Sequence, residues 1–190
     1  AASSLPDIDP ARAAELMDPA RRDKIQGGTY EVGSIFKIVT VALGLEGGTV
    51  RADTVLDVTK PLSAGRFTIT DAHPAGRPLS VAEILIRSSN VGAGMIALGE
   101  GPEKHKALLD KLGLTQPLRT EAGPVADPQL PPKLGRVEQI TVSYGHGIAV
   151  APIQFARAAA SLINGGTLVT PTYLAGRLGA WLDQAGSSAN

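Results

Sequence analysis

The sequence predicts a mixed α/β chain weighted towards helix. Several apolar runs keep helical spacing and carry helix start and stop residues. One stretch alternates as a strand does, Phe67 and Ile69 against Thr68 and Thr70. The length of 190 residues suits one sizeable domain with a buried core.

Residues 1–28 are rich in Ala, Arg, Asp and Pro and read as a connecting segment. Within it, Ala11 to Met17 forms at most a short helix that ends near Asp18-Pro19, because a residue before proline disfavours the helical conformation. A helix is predicted from about Ser34 to Leu45, stopping at Gly47-Gly48. Thr54 to Asp57 and Arg66 to Asp71 read as extended. Ser80-Val81-Ala82-Glu83 has the form of a capping box, in which the serine accepts from the glutamate amide and the glutamate reaches back, so a helix should cover Val81–Ile86. Val91–Leu98 and Pro102–Leu112 follow as helices, the latter with Ala107, Leu108 and Leu112 on one side. Gln116–Arg136 holds Pro117, Pro124, Pro128, Pro131 and Pro132 and is predicted to be mostly loop. Pro152 suits the first turn of a last strong helix, with Ile153, Ala156, Ala160 and Ile163 inward and Gly165-Gly166 as its end. Thr167-Leu168-Val169 reads as a strand, and the small polar tail Ala180–Asn190 as a fraying end.

Lys+Arg and Asp+Glu balance at 18 each. This argues against nucleic-acid binding as the main role, since neutralising phosphates needs a basic surface. There is no cysteine, which removes disulfides, thiolate metal sites and cysteine nucleophiles. His73, His105 and His146 are scattered without ligand spacing. No apolar run approaches the roughly 18 residues of a membrane-spanning helix.

The chemistry-bearing run is Tyr30-Glu31-Val32-Gly33-Ser34-Ile35-Phe36-Lys37. Residues three apart on a helix share a face, so Ser34 Oγ and Lys37 Nζ can meet. A serine hydroxyl needs a neighbouring base, and a lysine serves if desolvation lowers its pKa. The flanking Phe36, Ile38 and Val39 leave Lys37 little polar face. A second element is Arg87-Ser88-Ser89-Asn90-Val91-Gly92, a Ser-x-Asn pattern. Ser88 offers a hydroxyl to relay a proton, and Asn90 an amide that both donates and accepts. The same run equally suits a segment that ends one helix and caps the next.

With these two motifs the chain resembles the transpeptidase domain of class B penicillin-binding proteins, most of all the cell-division type. Further landmarks are Leu5-Pro6-Asp7-Ile8-Asp9-Pro10, Gly28-Thr29-Tyr30, Thr120-Glu121, Tyr144-Gly145-His146-Gly147-Ile148-Ala149-Val150 and Asn164-Gly165-Gly166. Val32 stands where the family usually has proline, and Ile35 where it often has threonine or valine. The family completes its site with a Lys-Thr-Gly strand, and none occurs here. Lys111-Leu112-Gly113 sits in a helical stretch, and Lys133-Leu134-Gly135 follows Pro131-Pro132, a poor start for a central strand.

The resemblance implies the α/β penicillin-binding protein and serine β-lactamase-like fold, with its helical region retained over 29–174, a tail over 175–190, and most of the antiparallel sheet missing. It implies Ser34 as nucleophile, Lys37 as its base, Ser88 as proton relay and Asn90 as substrate-amide holder, with no metal or organic cofactor. His146 receives no catalytic role, and Glu121 a structural hydrogen bond at least as readily as a substrate contact. The implied substrate is a peptidoglycan stem peptide ending in D-Ala-D-Ala, with β-lactam antibiotics as pseudosubstrates. Membrane proteins of the division machinery are the implied partners, and the periplasmic face of the inner membrane the implied location. Without the Lys-Thr-Gly strand, the chain is expected to be almost inactive unless another polypeptide supplies it. Two other readings stand beside this one. A non-catalytic scaffold of the division machinery would keep the helical region for contacts. A serine β-lactamase would need a deacylating glutamate, and none stands in suitable context after Ser88-Ser89-Asn90.

Overall fold

The computed structural model describes residues 2–9 and 11–174; the tail read over Ala180–Asn190 lies outside them. Two short 3₁₀ turns, Ala13–Met17 and Pro19–Arg21, open the chain. A 3₁₀ turn at Gly33–Phe36 then leads into α1, Lys37–Gly47, which Gly48 stops in the left-handed conformation. Four short strands follow: β1 Val55–Leu56, β2 Leu62–Ala64, β3 Phe67–Ile69 and β4 Leu79–Ser80. The helices α2 (Val81–Ile86), α3 (Asn90–Glu100) and α4 (Pro102–Lys111) come next. A small ribbon, β5 Arg119–Thr120 and β6 Gly123–Pro124, precedes α5 (Arg136–Ser143) and α6 (Pro152–Ile163). The described strands pair antiparallel as β1–β4, β2–β3 and β5–β6.

Helix α3 packs between α1 and α5. Its small residues let the neighbours approach: a side chain added at Gly92 would meet Ile84 of α2 at 2.5 Å, and one at Gly44 of α1 would meet Ile96 of α3 at 2.6 Å. One apolar cluster joins Phe36 and Val39 to Leu109, Val142, Ile148, Val150, Phe155 and Ala158. There Phe36 and Phe155 stack with centroids 6.1 Å apart. A second cluster joins Val50, Leu79, Val81, Ile84, Val91 and Ile96. Each fully buried side chain of this size contributes about 1.5–3 kcal/mol. Two clusters therefore pin opposite sides of α1 and fix the turn that precedes it.

The capping box at Ser80 forms as predicted, with Glu83 N donating to Ser80 Oγ at 3.2 Å and Ser80 N to Glu83 Oε2 at 3.0 Å. Other expectations are corrected. Helix α6 buries Gln154, Phe155, Ala158 and Ser161, while Ala156, Ala160 and Ile163 face outward. The rotation has a polar cause: Gln154 Nε2 donates to the carbonyls of Gly113 (2.7 Å) and Gln116 (2.8 Å), as Phe155 docks on Phe36. Of the face read for α4, Leu108 and Leu112 do pack into the core, but Ala107 is exposed, and His105 and Leu109 are buried beside them. Helix α5 begins at Arg136, where the proline-rich loop ends, and covers a stretch to which the sequence assigns no element. The alternation of Phe67 and Ile69 with Thr68 and Thr70 suggests a half-buried strand, but Phe67 is 55% exposed, with the Arg66 guanidinium 5.1 Å from its ring centroid. Thr167–Val169 is not a strand: Asn164 closes a turn on Thr167, and the Val169 carbonyl accepts from Arg157 Nε.

Candidate active site

The turn carrying Ser34 is held from behind by the segment Tyr144–Val150. Tyr30 and Val150 exchange backbone hydrogen bonds at 3.0 and 3.1 Å, and Gly33 N donates to Gly145 O at 3.3 Å. Gly145 has φ +78, and a side chain there would collide with the Gly33 carbonyl. Glycine is required on both counts. The Glu31 carboxylate accepts from Gly147 N at 2.7 Å and lies 2.7 Å from His146 Nδ1. His146 thus serves the brace beneath the turn. Thr40, three residues beyond Lys37, ties α1 to the end of α5 through a buried hydrogen bond to Ser143 O at 2.7 Å.

Ser34 lies exposed in the first turn, where helical N–H groups lack an intrahelical acceptor and can face a developing oxyanion. Lys37 opens α1 and is fully buried. Its Nζ donates to Ser34 Oγ at 2.7 Å and to Ser88 Oγ at 2.9 Å. Burial pushes the Lys37 pKa below the ordinary lysine value, against the opposing charge of Asp71. A buried amine shifted towards neutrality beside a hydroxyl is the arrangement a general base needs.

Ser88 and its neighbours both end one helix and begin the next. Ser88 N donates to Leu85 O (3.1 Å) and Ser89 N to Ile84 O (2.9 Å), the paired bonds of a Schellman motif, with Ser88 at φ +57 in the place usually taken by glycine. Ser89 then caps α3, accepting from Gly92 N at 2.9 Å. The capping alternative and the hydroxyl-bearing site therefore coexist. A serine accepts the strained left-handed position, and its Oγ meets Lys37. Asn90 stands two residues on, partly buried, with Nδ2 directed to Thr70 O at 3.5 Å. The structure thus joins Ser34, Lys37 and Ser88 in one hydrogen-bonded cluster and sets Asn90 beside it.

Two supports escaped the sequence reading: Asp71 binds the start of α3 from a separate segment, and Thr40 reaches α5. Each is a contact between residues distant in the chain. The run Gly145-His146-Gly147 does signal close backbone approach, and Gly145 packs on Gly33. Glu121 holds the segment after α6, accepting from Thr172 Oγ1 and from Tyr173 N at 3.3 Å.

The model of the penicillin-binding protein transpeptidase domain matches residues 1–184. A Caulobacter vibrioides protein described as a probable peptidoglycan D,D-transpeptidase FtsI is 34% identical over 166 residues, covering 87% of this chain and 28% of that protein. The chain thus spans less than a third of that relative. The apo transpeptidase domain of Burkholderia pseudomallei penicillin-binding protein 3 superposes with a TM-score of 0.74 at 31% identity, over 80% of this chain and 46% of that one. Penicillin-binding protein 3 of Mycobacterium tuberculosis, complexed with aztreonam, superposes at 0.71 and 28% identity, over 79% of this chain and 34% of that one. With a family model matched along nearly its whole length, the chain belongs to the penicillin-binding protein transpeptidase domain family.

Proposed function

We propose that this chain carries the nucleophile and proton relay of a peptidoglycan D,D-transpeptidase. The single observation that supports this most is the buried Lys37 amine bonded at once to Ser34 Oγ and Ser88 Oγ. In this reading Ser34 Oγ attacks the carbonyl of the penultimate D-Ala of a stem peptide. Its proton passes to neutral Lys37 Nζ, an O–C bond forms, and the peptide C–N bond breaks. The departing D-Ala amine takes a proton through Ser88 Oγ, leaving an ester on Ser34. The amine of a neighbouring stem then attacks the ester and regenerates the hydroxyl. Asn90 holds the substrate amide, needing only to turn from its long contact with Thr70 O.

The aztreonam complex of the Mycobacterium tuberculosis protein supports β-lactams as pseudosubstrates. The likeness to a protein described as a probable peptidoglycan D,D-transpeptidase FtsI supports the reaction class; we propose with it a role in septal wall synthesis, with division-machinery membrane proteins as partners, at the periplasmic face of the inner membrane. Residues 29–174 form the body of the site and 1–28 the connecting segment.

The test is covalent labelling by a fluorescent penicillin, followed by intact-mass spectrometry, in the full natural protein that carries these residues. Wild type should gain one intact penicillin, and Ser34→Ala none. Full labelling of Ser34→Ala would refute the nucleophile. Without a Lys-Thr-Gly motif, the 190-residue chain by itself should acylate slower, by roughly 10²–10³ for one lost oxyanion donor.

A further inference from the structure

We propose that Asp71 is a positioning residue of this site, holding Ser89 and Asn90 at the start of α3 and, through Ser89, the Ser88 hydroxyl at Lys37, with its negative charge acting on that amine. The inference rests on the transpeptidase reading above and deepens it.

Asp71 follows β3 and reaches the first turn of α3 from outside that helix. Its Oδ2 accepts from Ser89 Oγ at 2.7 Å, and its Oδ1 accepts from Asn90 N at 2.6 Å and Val91 N at 3.0 Å. Ser89 Oγ caps Gly92 N, and the carboxylate takes the first-turn amides of Asn90 and Val91 that this cap leaves over. What the carboxylate adds is a tie between α3 and the β2–β3 ribbon, made through a serine that is 1% exposed. Removing the carboxylate would leave buried donors unpaired.

Ser88 is caught between two fixed ends. On one side are the Schellman bonds to α2, and on the other is Ser89 clamped by Asp71. A non-glycine residue at φ +57 persists only where its surroundings over-determine it. Releasing the Asp71 end lets Ser88 leave this conformation and carries its Oγ away from Lys37 Nζ. Asn90, whose own amide Asp71 holds, moves with it.

The charge has a separate effect. Asp71 is the charged group whose field acts on Lys37. Of the other acids on the elements packed around α1, Glu83 pairs with Arg77, Glu100 with Thr49 and Lys104, Asp110 with Lys106, Glu46 with Lys111, and Glu31 with Gly147 and His146, while Glu103 and Glu138 stand on α4 and α5. Burial drives Lys37 towards the neutral amine and Asp71 resists, so the pair sets the pH at which the amine changes charge.

Two variants separate the effects. Asp71→Asn keeps the shape and an acceptor but removes the charge, whereas Asp71→Ala removes both. In protein labelled with ¹³Cε-lysine, the Lys37 resonance, assigned through Lys37→Arg, is followed against pH by NMR. Its midpoint should fall in Asp71→Asn. With fluorescent penicillin, the rising limb of the acylation-rate profile should shift to lower pH in the same variant. Asp71→Ala should lose roughly 10²-fold in acylation rate, the size expected when a reacting group is misplaced by about 1 Å. An unmoved Lys37 midpoint in Asp71→Asn would overturn the charge role whether or not the protein acylates. A soluble, folded Asp71→Ala that acylates at the wild-type rate would overturn the positioning role, and if that variant fails to fold, an Asp71→Asn whose profile keeps the wild-type limb overturns the proposal. A wild-type protein that never acylates would sink the transpeptidase reading while leaving the NMR test intact.

Discussion

His105 should make the protein acid-labile in a pH window of its own. It is fully buried in α4, which packs on α1 and α3, and neither ring nitrogen has a hydrogen-bond partner. Burial alone pushes its pKa down from 6.5 to about 4. The folded protein therefore holds it neutral, while the unfolded chain binds a proton at about 6.5. The stability associated with the neutral ring is fully present above the unfolded value and is lost as pH falls from about 6.5 to about 4. At about 1.36 kcal/mol for each pH unit, the loss across that window is about 3 kcal/mol. This is a large share of the roughly 5–15 kcal/mol of an ordinary domain. The assay is urea unfolding at a series of pH values, in wild type and His105→Leu, with the midpoints compared at constant slope. Subtracting the two curves removes the carboxylates, whose effects belong mainly to lower pH, and the exposed His73 and His146. His105→Leu should show a flatter dependence between pH 6.5 and 4 and should be no less stable than wild type at pH 5. An equal pH slope in both proteins would refute the assignment of His105 as a buried, neutral, unpaired ring.

Three further outcomes follow from the site. Lys37→Met should abolish penicillin acylation while leaving thermal stability equal or higher, because it replaces a desolvated amine with an apolar chain of similar length; a clear fall in melting temperature would contradict this. Ser88→Gly should relieve the left-handed strain and stabilise the fold by about 1 kcal/mol in urea unfolding, yet slow acylation by removing the relay hydroxyl. Unchanged acylation would argue against Ser88 as relay. Gly145→Ala should cost about 2–4 kcal/mol, since it adds a side chain against the Gly33 carbonyl at a positive φ, and should also reduce labelling of Ser34. A neutral effect on both would show that the brace beneath the turn is dispensable.

Much of this molecule is local in origin and was legible for that reason. The capping box at Ser80, the glycine stop of α1, the proline start of α6 and the three-residue spacing of Ser34 and Lys37 are each decided within one or two helical turns. The Ser88–Asn90 run was also recognisable, although the strain at Ser88 was not. Tertiary packing decided what no short window contains. The inward face of α6 was misread because two backbone carbonyls, far back in the chain, needed a donor and Gln154 supplied it. Helix α5 was missed because its apolar pattern is short, and it is placed by packing against α3 and by the Thr40 bond to Ser143. Asp71 carried no sequence signal, since its partners at Ser89, Asn90 and Val91 come to it only when the β2–β3 ribbon folds against α3. Which residues could do chemistry is a local matter, because helical geometry brings a serine and lysine three residues apart to one face. The tertiary structure decided whether they can do it. Only long-range packing buries the Lys37 amine, brings Ser88 to it, and sets the charge of Asp71 against the loss of water.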